Sequence, residues 1–378
     1  MRTIDRYLLW QFFQVFMICF LSLAGLYIVI DAFSKLDNFL DHAREHGNLA
    51  ATMARHYGFQ SLAFFNRTSG VLALAAAMFT VTWIQRHNEM TALLAAGIPR
   101  LRVLRPVLIA CVMIAFGAAA AREFILPGIR HELRVDARNL SGELQLDLHS
   151  RYDNVTDILL AGSKAVVAGQ KITSPSFILP PPLAKYGKQL AAEEAKFVEA
   201  SGGRPSGYLL SKVKTPAALL SSPSLTLADG SIAVATPQDV PWLEPDQVFV
   251  VSRVSFELLA SGAEWRDFAS LRELATELRN PSTELGPDVR VAVHTRVLQP
   301  LLDITLLMLG LPLVVSSGAR NPFIAIGYCL TVVTAFFLVS LGAQSLGGTG
   351  LISPVLAAWA PLVSFGPIAV GMCDPLRS

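Results

Sequence analysis

The sequence predicts an α-helical membrane protein with six transmembrane helices, split three plus three around an inserted extracytoplasmic domain rich in β-strands. Hydrophobic residues make up 52% of the 378 residues and charged residues only 16%, and the charges concentrate outside six long apolar segments. Each segment is long enough to cross the hydrocarbon core of a bilayer, which is about 30 Å thick. A long polar insert with alternating apolar patterns separates the third segment from the fourth.

The apolar segments fall into two groups. The first group comprises residues 8–30, 69–84 with an apolar approach from residue 59, and 107–121, and the second comprises residues 297–315, 323–346 and 354–372. The first segment lacks the short hydrophobic region and the small-residue cleavage site of a signal peptide, so we expect it to be retained as an anchor. The predicted division is a first membrane region at residues 1–126, an insert at 127–290 and a second membrane region at 291–378.

Basic residues in the short loops predict how the chain is oriented. Between the second and third spans a single acid, Glu89, accompanies four arginines: Arg86, Arg100, Arg102 and Arg105. Arg2 and Arg6 precede the first span, and Arg320 lies between the fourth and fifth spans on the same side. Because Lys and Arg are enriched in cytoplasmic loops, we expect both termini in the cytoplasm and the insert outside it. The net charge of +2, without a long basic run, argues against a nucleic-acid partner.

No pattern in the chain indicates a metal, cofactor or ATP-hydrolysing site. The four cysteines lie in or beside the spans, where cysteine behaves as a small apolar residue, and the insert has none: Cys19, Cys111, Cys329 and Cys373. His42 and His46 have helical spacing, but no HExxH motif accompanies them, which favours a solvated face over a zinc site. A GxxxxGK[ST] loop is absent, so active transport requires energy from a partner.

The insert shows the patterns of a strand-rich domain. The DG turn in SLTLADGSIAV separates two alternating apolar segments, as is typical of a β-hairpin. Further on, Val250, Val254 and Phe256 are interleaved with polar residues up to residue 258, and this period of two predicts a strand with one buried face. The stretches DILLAGSKAVVAG and FILP predict shorter strands.

A short helix is predicted to lead from the insert back to the membrane. Ser270 and Glu273 have the spacing of a capping box, and apolar side chains recur on one face up to Leu278 before Asn280 and Pro281 end the helix. The pattern fits a lever or collar at the bilayer surface and a packing helix of the insert equally well.

The loop between the second and third spans carries the most specific pattern in the chain. A short amphipathic helix is predicted over residues 88–96, ended by Gly97 and Pro99. Glu89 lies near its start, where the helix dipole favours a negative charge and where an arginine of a cytoplasmic protein could pair with it. A lone acid in a basic loop is also typical of a solvated surface, so the residues alone leave both interpretations open.

Four stretches of the chain resemble the LptF/LptG permeases of lipopolysaccharide export. They are the opening DRYLLWQFFQVF, the loop IQRHNEMTALLAAGIPRLRVLRP, the segment HTRVLQPLLDITLLMLGLPL and the closing SLGGTGLISPVLAAWAPLVSFG. The resemblance covers both membrane halves and is weaker in the insert. It implies a periplasmic β-jellyroll insert, a place in the bacterial inner membrane, and a transport subunit that catalyses no covalent chemistry. The partners it implies are a cytoplasmic ABC ATPase dimer, a second homologous permease, a periplasmic jellyroll bridge protein and lipopolysaccharide.

The resemblance also implies functions for single residues. Glu89 matches the acidic position of the family's coupling helix, which engages the ATPase, and Gly97 matches the glycine that ends this helix. In the family, basic side chains near the outer ends of the membrane helices meet the lipid A phosphates. This chain offers Lys35, Arg55 and Arg67 for that purpose.

Three charged residues in or near the spans need separate interpretation. Asp31, in the last turn of the first span, departs from the family's pattern, because relatives commonly carry a basic residue there. Arg67 either snorkels from the end of its helix to the interface or binds a ligand. Asp303 lies inside the fourth span and is expected to face other helices or a water-filled cavity, with a structural hydrogen bond favoured over a proton relay.

The expected function is that of a permease subunit that extracts lipopolysaccharide and passes it along the insert, where Val250, Val254 and Phe256 would line the lipid path. One alternative is a non-transporting envelope scaffold or sensor, and another is an intramembrane enzyme that uses Asp303 with His294. No cofactor or metal is expected. The residues do not distinguish an LptF-like from an LptG-like subunit, a homodimer from a heterodimer, or one glycolipid headgroup from another.

Overall fold

The computed structural model describes residues 3–37, 39–40, 48–134, 145–167, 169–202, 204–262, 265–316 and 322–372. The chain divides into two compact units: a membrane unit, which contains the described residues up to Arg134 and from Gly286 onwards, and an insert unit, which contains the described residues from 145 to 285. The predicted boundaries at residues 127 and 290 both fall inside helices. The helix before the insert unit runs to Arg134, and the helix after it begins at Pro287.

The first five helices precede the strands of the insert unit, and the other six follow them. In chain order they are α1 Thr3–Ser34, α2 Leu49–Arg86, α3 Glu89–Ala95, α4 Arg100–Ala120, α5 Leu126–Arg134, α6 Phe256–Ser261, α7 Trp265–Phe268, α8 Leu271–Leu278, α9 Pro287–Ser316, α10 Pro322–Gly348 and α11 Pro354–Gly371. A π-helical segment, Ala121–Ile125, joins α4 to α5.

Six helical runs among the described residues are long and apolar enough to cross a membrane, which confirms the predicted three-plus-three architecture. They are Thr3–Ser34, Leu49–Arg86, Arg100–Arg130, Pro287–Val315, Gly327–Gly348 and Pro354–Gly371. The third run passes its predicted end at residue 121 because the π-helical segment continues the helix into α5.

Helix α9 is the most enclosed span of the membrane unit. Its most apolar stretch is 61% buried by protein, whereas that of α1 is 11% buried. Leu309 and Leu311 are fully enclosed, and a Cβ added at Gly310 would lie 2.6 Å from Leu74 Cδ1 of α2. Lipid tails are as apolar as leucine, so the hydrophobic effect does not drive membrane helices together. Their association depends instead on close packing of this kind.

The insert unit contains an 11-stranded sheet, which confirms the predicted β-rich domain. Its strands are β1 Gln145–Asp147, β2 Arg151–Asp153, β3 Ile158–Leu160, β4 Lys164–Val166, β5 Lys171–Thr173, β6 Ser176–Ile178, β7 Gln189–Val198, β8 Gly207–Thr215, β9 Leu225–Thr226, β10 Ile232–Ala235 and β11 Val248–Val251. The main path runs in the order β1, β4, β5, β7, β8, β11, β10 and β9, with β2, β3 and β6 forming a branch. Strand β7 pairs antiparallel with β5 through Lys196 and with β6 through Ala191, so the two arms meet there.

The interior of the insert unit is filled by its own side chains. Phe177, Tyr208 and Leu210 are fully buried, and the rings of Phe177 and Tyr208 make an edge-to-face contact with their centroids 5.8 Å apart. Aromatic pairs in this geometry add to the stability that burial alone provides. The described part of the unit therefore encloses a hydrophobic core.

The predicted hairpin is confirmed, since β9 and β10 pair antiparallel around the DG turn. Gly230 has a φ of 83°, a left-handed conformation that glycine adopts without steric cost. Asp229 Oδ1 accepts a hydrogen bond of 2.9 Å from the backbone N–H of Ser231, which fixes the turn.

The long strand predicted from Val250 is wrong past Val251. Strand β11 ends there, and α6 begins at Phe256. Between Val251 and Phe256 the backbone of Val254 forms its hydrogen bonds with side chains. Tyr208 Oη donates to the Val254 carbonyl at 2.9 Å, and the Val254 N–H donates to Ser252 Oγ at 3.1 Å. A buried backbone must find such partners, and here it finds them away from the sheet.

Helix α8 has the predicted capping box. Ser270 Oγ accepts from the Glu273 N–H at 3.1 Å, and Glu273 Oε2 accepts from the Ser270 N–H at 2.8 Å. Leu274 is fully buried, and Asn280 Nδ2 donates to the Arg253 carbonyl at 2.7 Å. These contacts within the insert unit favour a packing helix over a lever.

Candidate functional site

Helix α3 forms where the loop pattern predicts it and ends in a Schellman motif. The Ile98 N–H donates to the Leu93 carbonyl at 3.1 Å, and the Gly97 N–H donates to the Leu94 carbonyl at 2.9 Å. Gly97 has a φ of 77°, which glycine adopts readily and other residues resist. Gly97 therefore ends α3, as the loop pattern predicts, while its part in coupling to an ATPase stays a prediction.

One apolar face fastens α3 to the membrane unit. Met90 is 5% exposed and belongs to the main core of the unit, against which Leu93, Leu94 and Ile98 pack. The opposite face is exposed and carries small side chains, including Ala92 and Ala95. Packing against the membrane unit therefore stabilises a helix that is too short to be stable by itself. Its alanine-bearing face stays exposed.

Glu89 is bound to the first helix of the chain. Tyr7 Oη donates to both carboxylate oxygens of Glu89, at 3.3 Å and 3.4 Å. The acid is therefore not simply solvated, which was one of the two interpretations of the loop. Its carboxylate has further acceptor positions available to a cationic partner.

A charged pair also joins α1 to α4, the helix that follows α3 in the chain. Arg102 of α4 donates through Nη1 and Nη2 to the two carboxylate oxygens of Asp5 of α1, with both distances at 3.1 Å. The side chains are 33% and 16% exposed, respectively. Two parallel hydrogen bonds between a guanidinium and a carboxylate fix orientation as well as contributing energy.

Two of the three predicted phosphate-binding residues form ion pairs with acids of the chain. Lys35 Nζ lies 3.1 Å from Asp31 Oδ1, and Arg55 pairs with Glu132 of α5. Tyr57 Oη also donates to Asp31 Oδ2 at 3.1 Å. Asp31, where the chain departs from the family's pattern, thus has a lysine and a tyrosine as partners.

Arg67, the third predicted phosphate contact, lies exposed on α2 near Tyr27 of α1. Within the described part of the chain it forms no ion pair closer than 4.0 Å. Tyr27 itself stacks on Phe64, with ring centroids 5.5 Å apart. Of the three cations, Arg67 is the one most open to an external anion.

Asp303 faces a narrow cavity between α2, α4 and α9, which includes Gly70, Cys111 and Ala115 in its lining. Gln299 Nε2 donates to Asp303 Oδ1 at 3.0 Å, and a Cβ added at Gly70 would lie 2.5 Å from that oxygen. The hydrogen bond lies within α9, and the close approach to Gly70 packs α9 against α2. A structural role for Asp303 stays a prediction.

The positions of His294 and Asp303 do not support the alternative of an intramembrane enzyme. His294 and Asp303 both lie on α9, and nine residues of helix separate their Cα atoms by about 13 Å along the axis. A general acid and base pair has to lie within hydrogen-bond reach of the same reacting group.

The residues proposed to line the lipid path are enclosed in the core of the insert unit. Val250 and Val254 are 0% exposed and Phe256 is 2% exposed. They share this core with Tyr208, whose pKa is raised by burial. Only Val250 lies on a strand, and Phe256 is the first residue of α6. Lipid contact at these positions stays a prediction and requires the core to open.

A second titratable group in the insert unit lies near this core. Glu277 of α8 is 9% exposed, and its Oε1 accepts from Asn280 Nδ2 at 3.0 Å and from Thr283 Oγ1 at 3.1 Å. Burial raises the pKa of Glu277, while these two hydrogen bonds and the positive charge of Arg151 act in the opposite direction. The desolvation effect is larger, because it disfavours the charged form more than the partners favour it.

Metal-ligating clusters are not found among the described residues. Cys19, Cys111 and Cys329 are free thiols, while the His42 and His46 pair and Cys373 lie outside the described residues.

The contacts of Asp5 and Tyr7 were not predicted from the sequence. Their partners lie 97 and 82 residues away along the chain, and no local spacing indicates such a pairing.

Comparison with known proteins identifies the family. A family model described as the lipopolysaccharide export system permease LptF/LptG matches residues 6–151 and 214–373. No curated protein matches the chain. The two matched stretches reach all six helical runs and include α3, while they omit most of the sheet between β2 and β8. Because the match covers most of the chain, this protein belongs to the LptF/LptG family of lipopolysaccharide export permeases.

Proposed function

We propose that this chain is the transmembrane permease subunit of an ATP-driven exporter that takes lipopolysaccharide from the inner membrane and passes it to a periplasmic bridge protein. The family match over both membrane halves carries the proposal. The chain lacks a P-loop motif, so ATP hydrolysis is assigned to a separate cytoplasmic ABC ATPase dimer. A second homologous permease completes the pair across which the lipid is enclosed.

The ATPase is proposed to engage α3. The exposed face of this helix carries alanines, which allow another protein surface to approach closely. Glu89 at its start offers carboxylate oxygens to a cationic side chain of the ATPase, and it also accepts a hydrogen bond from Tyr7 within the chain. Charge complementarity at such an interface favours the correct partner and speeds association.

The orientation follows from this assignment. The basic loop that contains α3 and both termini are proposed to be cytoplasmic, and the insert unit is proposed to be periplasmic. Arg100, Arg102 and Arg105 lie in the first turns of α4, next to the membrane surface in this arrangement. The six apolar runs support a multi-pass protein of the inner membrane.

The lipid A phosphates are proposed to meet Arg67 first, and Lys35 and Arg55 after their ion pairs open. The Arg55 side chain is 68% exposed and that of Glu132 is 33% exposed. An ion pair of this exposure contributes only about 0–1 kcal/mol. A phosphate that carries more than one negative charge can therefore replace the carboxylate of Glu132 at the guanidinium.

Copurification tests the proposal most directly. The full chain, tagged and extracted in mild detergent, is expected to bring down an ABC ATPase and a second permease, identified by mass spectrometry. Proteoliposomes that contain this complex should then release lipopolysaccharide to an acceptor only when ATP is supplied. Isolation of the chain with envelope proteins and without an ATPase would instead support the scaffold or sensor alternative.

A further inference from the structure

The start of α1 contacts the coupling region through two adjacent polar links. Asp5 holds Arg102 of α4 with two hydrogen bonds of 3.1 Å, and Tyr7 donates to Glu89 of α3. We call these four residues the α1 clamp. The next residue of α1, Leu8, is 1% exposed and packs in the core that also contains Met90.

The location of the α1 clamp matters because α1 is not a neighbour of α3 in the chain: α2 lies between them. Helix α3 follows α2 and precedes α4 directly in the chain, so these helices follow its movements through the backbone. The described hydrogen bonds of α1 to α3 and α4 are made by side chains. Leu8, Phe12 and Phe16 attach α1 to the main core of the membrane unit. The α1 clamp adds directional polar contacts to α3 and α4 at the start of the helix.

We propose that the α1 clamp makes α1 move together with α3, and that Asp5 and Arg102 are positioning residues for transport. The proposal rests on the proposed function, in which the ATPase displaces α3. A half-buried arginine–carboxylate pair with two hydrogen bonds suits this task, because it fixes the relative orientation of the two helices as well as their distance. The Tyr7–Glu89 hydrogen bond links the same end of α1 directly to the helix that receives the force.

Charge reversal and exchange test the α1 clamp in the complete complex. Asp5→Arg and Arg102→Asp are each expected to lower the lipopolysaccharide released per ATP hydrolysed by at least about fivefold, since coupling free energies of 1–3 kcal/mol correspond to about 5–150-fold effects. ATPase binding and hydrolysis should persist, because the contact face of α3 is unchanged. The double variant restores the pair in the opposite sense and should recover most of the loss.

Arg105→Asp is the matched control, because Arg105 is exposed on the same first turns of α4. It reverses one charge without breaking the pair and should leave the ratio of release to hydrolysis unchanged. An equal loss in this control, unchanged single variants, or a double variant no better than the worse single variant would each overturn the proposal.

A distance measurement separates this proposal from the proposed function. The distance between spin labels on α1 and α3 should stay constant through the ATP cycle in the wild type and in the double variant. In the single variants this distance should change during the cycle. A wild-type complex that moves no lipopolysaccharide would reject the proposed function, while the label distances would still decide on the α1 clamp. Separations that vary freely in the wild type would reject the α1 clamp alone.

Discussion

At the scale of single residues, the contacts of Glu89 separate two effects that a substitution there would combine. The carboxylate accepts a hydrogen bond from Tyr7 within the chain, and its charge is proposed to attract the ATPase. Changing Glu89 disturbs both, whereas changing Tyr7 disturbs only the internal contact. The two positions together therefore show which effect matters for docking.

Glu89→Lys should weaken ATPase association by about tenfold or more, because coupling energies of close charge pairs at interfaces begin near 1.5 kcal/mol. Tyr7→Phe keeps the charge and should leave this affinity nearly unchanged, since an exposed hydrogen bond of 3.3 Å contributes little. Titration of the detergent-solubilised permease with purified ATPase gives both values. Equal losses in the two variants would assign the effect to the internal contact.

The pKa of Glu277 leads to a prediction about stability and pH. Because burial raises this pKa in the folded state, the protonated form is favoured by folding. Its contribution to stability is fully present below the ordinary pKa of a glutamate, about 4.3, and is lost as the pH rises through the folded pKa. Glu277→Gln, which stays uncharged, should therefore be more stable than the wild type at pH 8, and the difference should shrink as the pH falls.

Thermal unfolding of the full chain between pH 5 and pH 8 measures this effect. Glu199→Gln removes an exposed carboxylate of the same insert unit and serves as the control. A Glu277→Gln variant that is less stable than the wild type at every pH would show that the ionised carboxylate is needed for its hydrogen bonds with Asn280 and Thr283.

At the scale of elements, α3 shows how far the sequence determines a local structure. Its position and its end at Gly97 were predicted because the signals, a glycine and a following proline, act on their own neighbourhood. The strand prediction past Val251 failed because Tyr208, which bonds the backbone there, belongs to a strand distant in sequence. The partners of Asp5 and Tyr7 escaped prediction for the same reason.

Gly97→Ala should destabilise the end of α3 by about 1–2 kcal/mol, the cost of a left-handed conformation for a residue with a Cβ. No heavy atom lies within 4 Å of an added Cβ at Gly97, so the cost comes from the backbone at its φ of +77° alone. The variant should show weaker ATPase association and a lower melting temperature in detergent.

Gly58→Ala provides the matched control in α2, where an added Cβ likewise meets nothing within 4 Å. Because Gly58 is helical, alanine should stabilise the chain there by about 0.5–1 kcal/mol. If both variants shifted the melting temperature in the same direction, the Schellman motif would not be what makes Gly97 necessary.

At the scale of the whole molecule, the proposed orientation puts the insert unit in the periplasm and the loop that contains α3 in the cytoplasm. A cysteine introduced at Ser231, in the exposed β9–β10 turn, should react with an impermeant thiol reagent added from the periplasmic side. A cysteine at Thr91, exposed on α3, should react only after the reagent gains access to the cytoplasm. The opposite pattern would reverse the orientation, because both sites are accessible in the folded chain.

The burial of the hydrophobic core of the insert unit affects whether lipid can pass through it. Val254 and Phe256 are almost fully buried, so lipid can reach them only if ATP-driven transport opens the core. A photo-crosslinking residue at either position should therefore capture lipopolysaccharide in membranes supplied with ATP and fail to do so without it. The same probe at Arg253, an exposed neighbour on the same connection, reports lipid that merely touches the surface. Crosslinks at Arg253 without any at Val254 or Phe256 would place the lipid on the outside of the sheet. Val250, Val254 and Phe256 would then belong to an ordinary hydrophobic core.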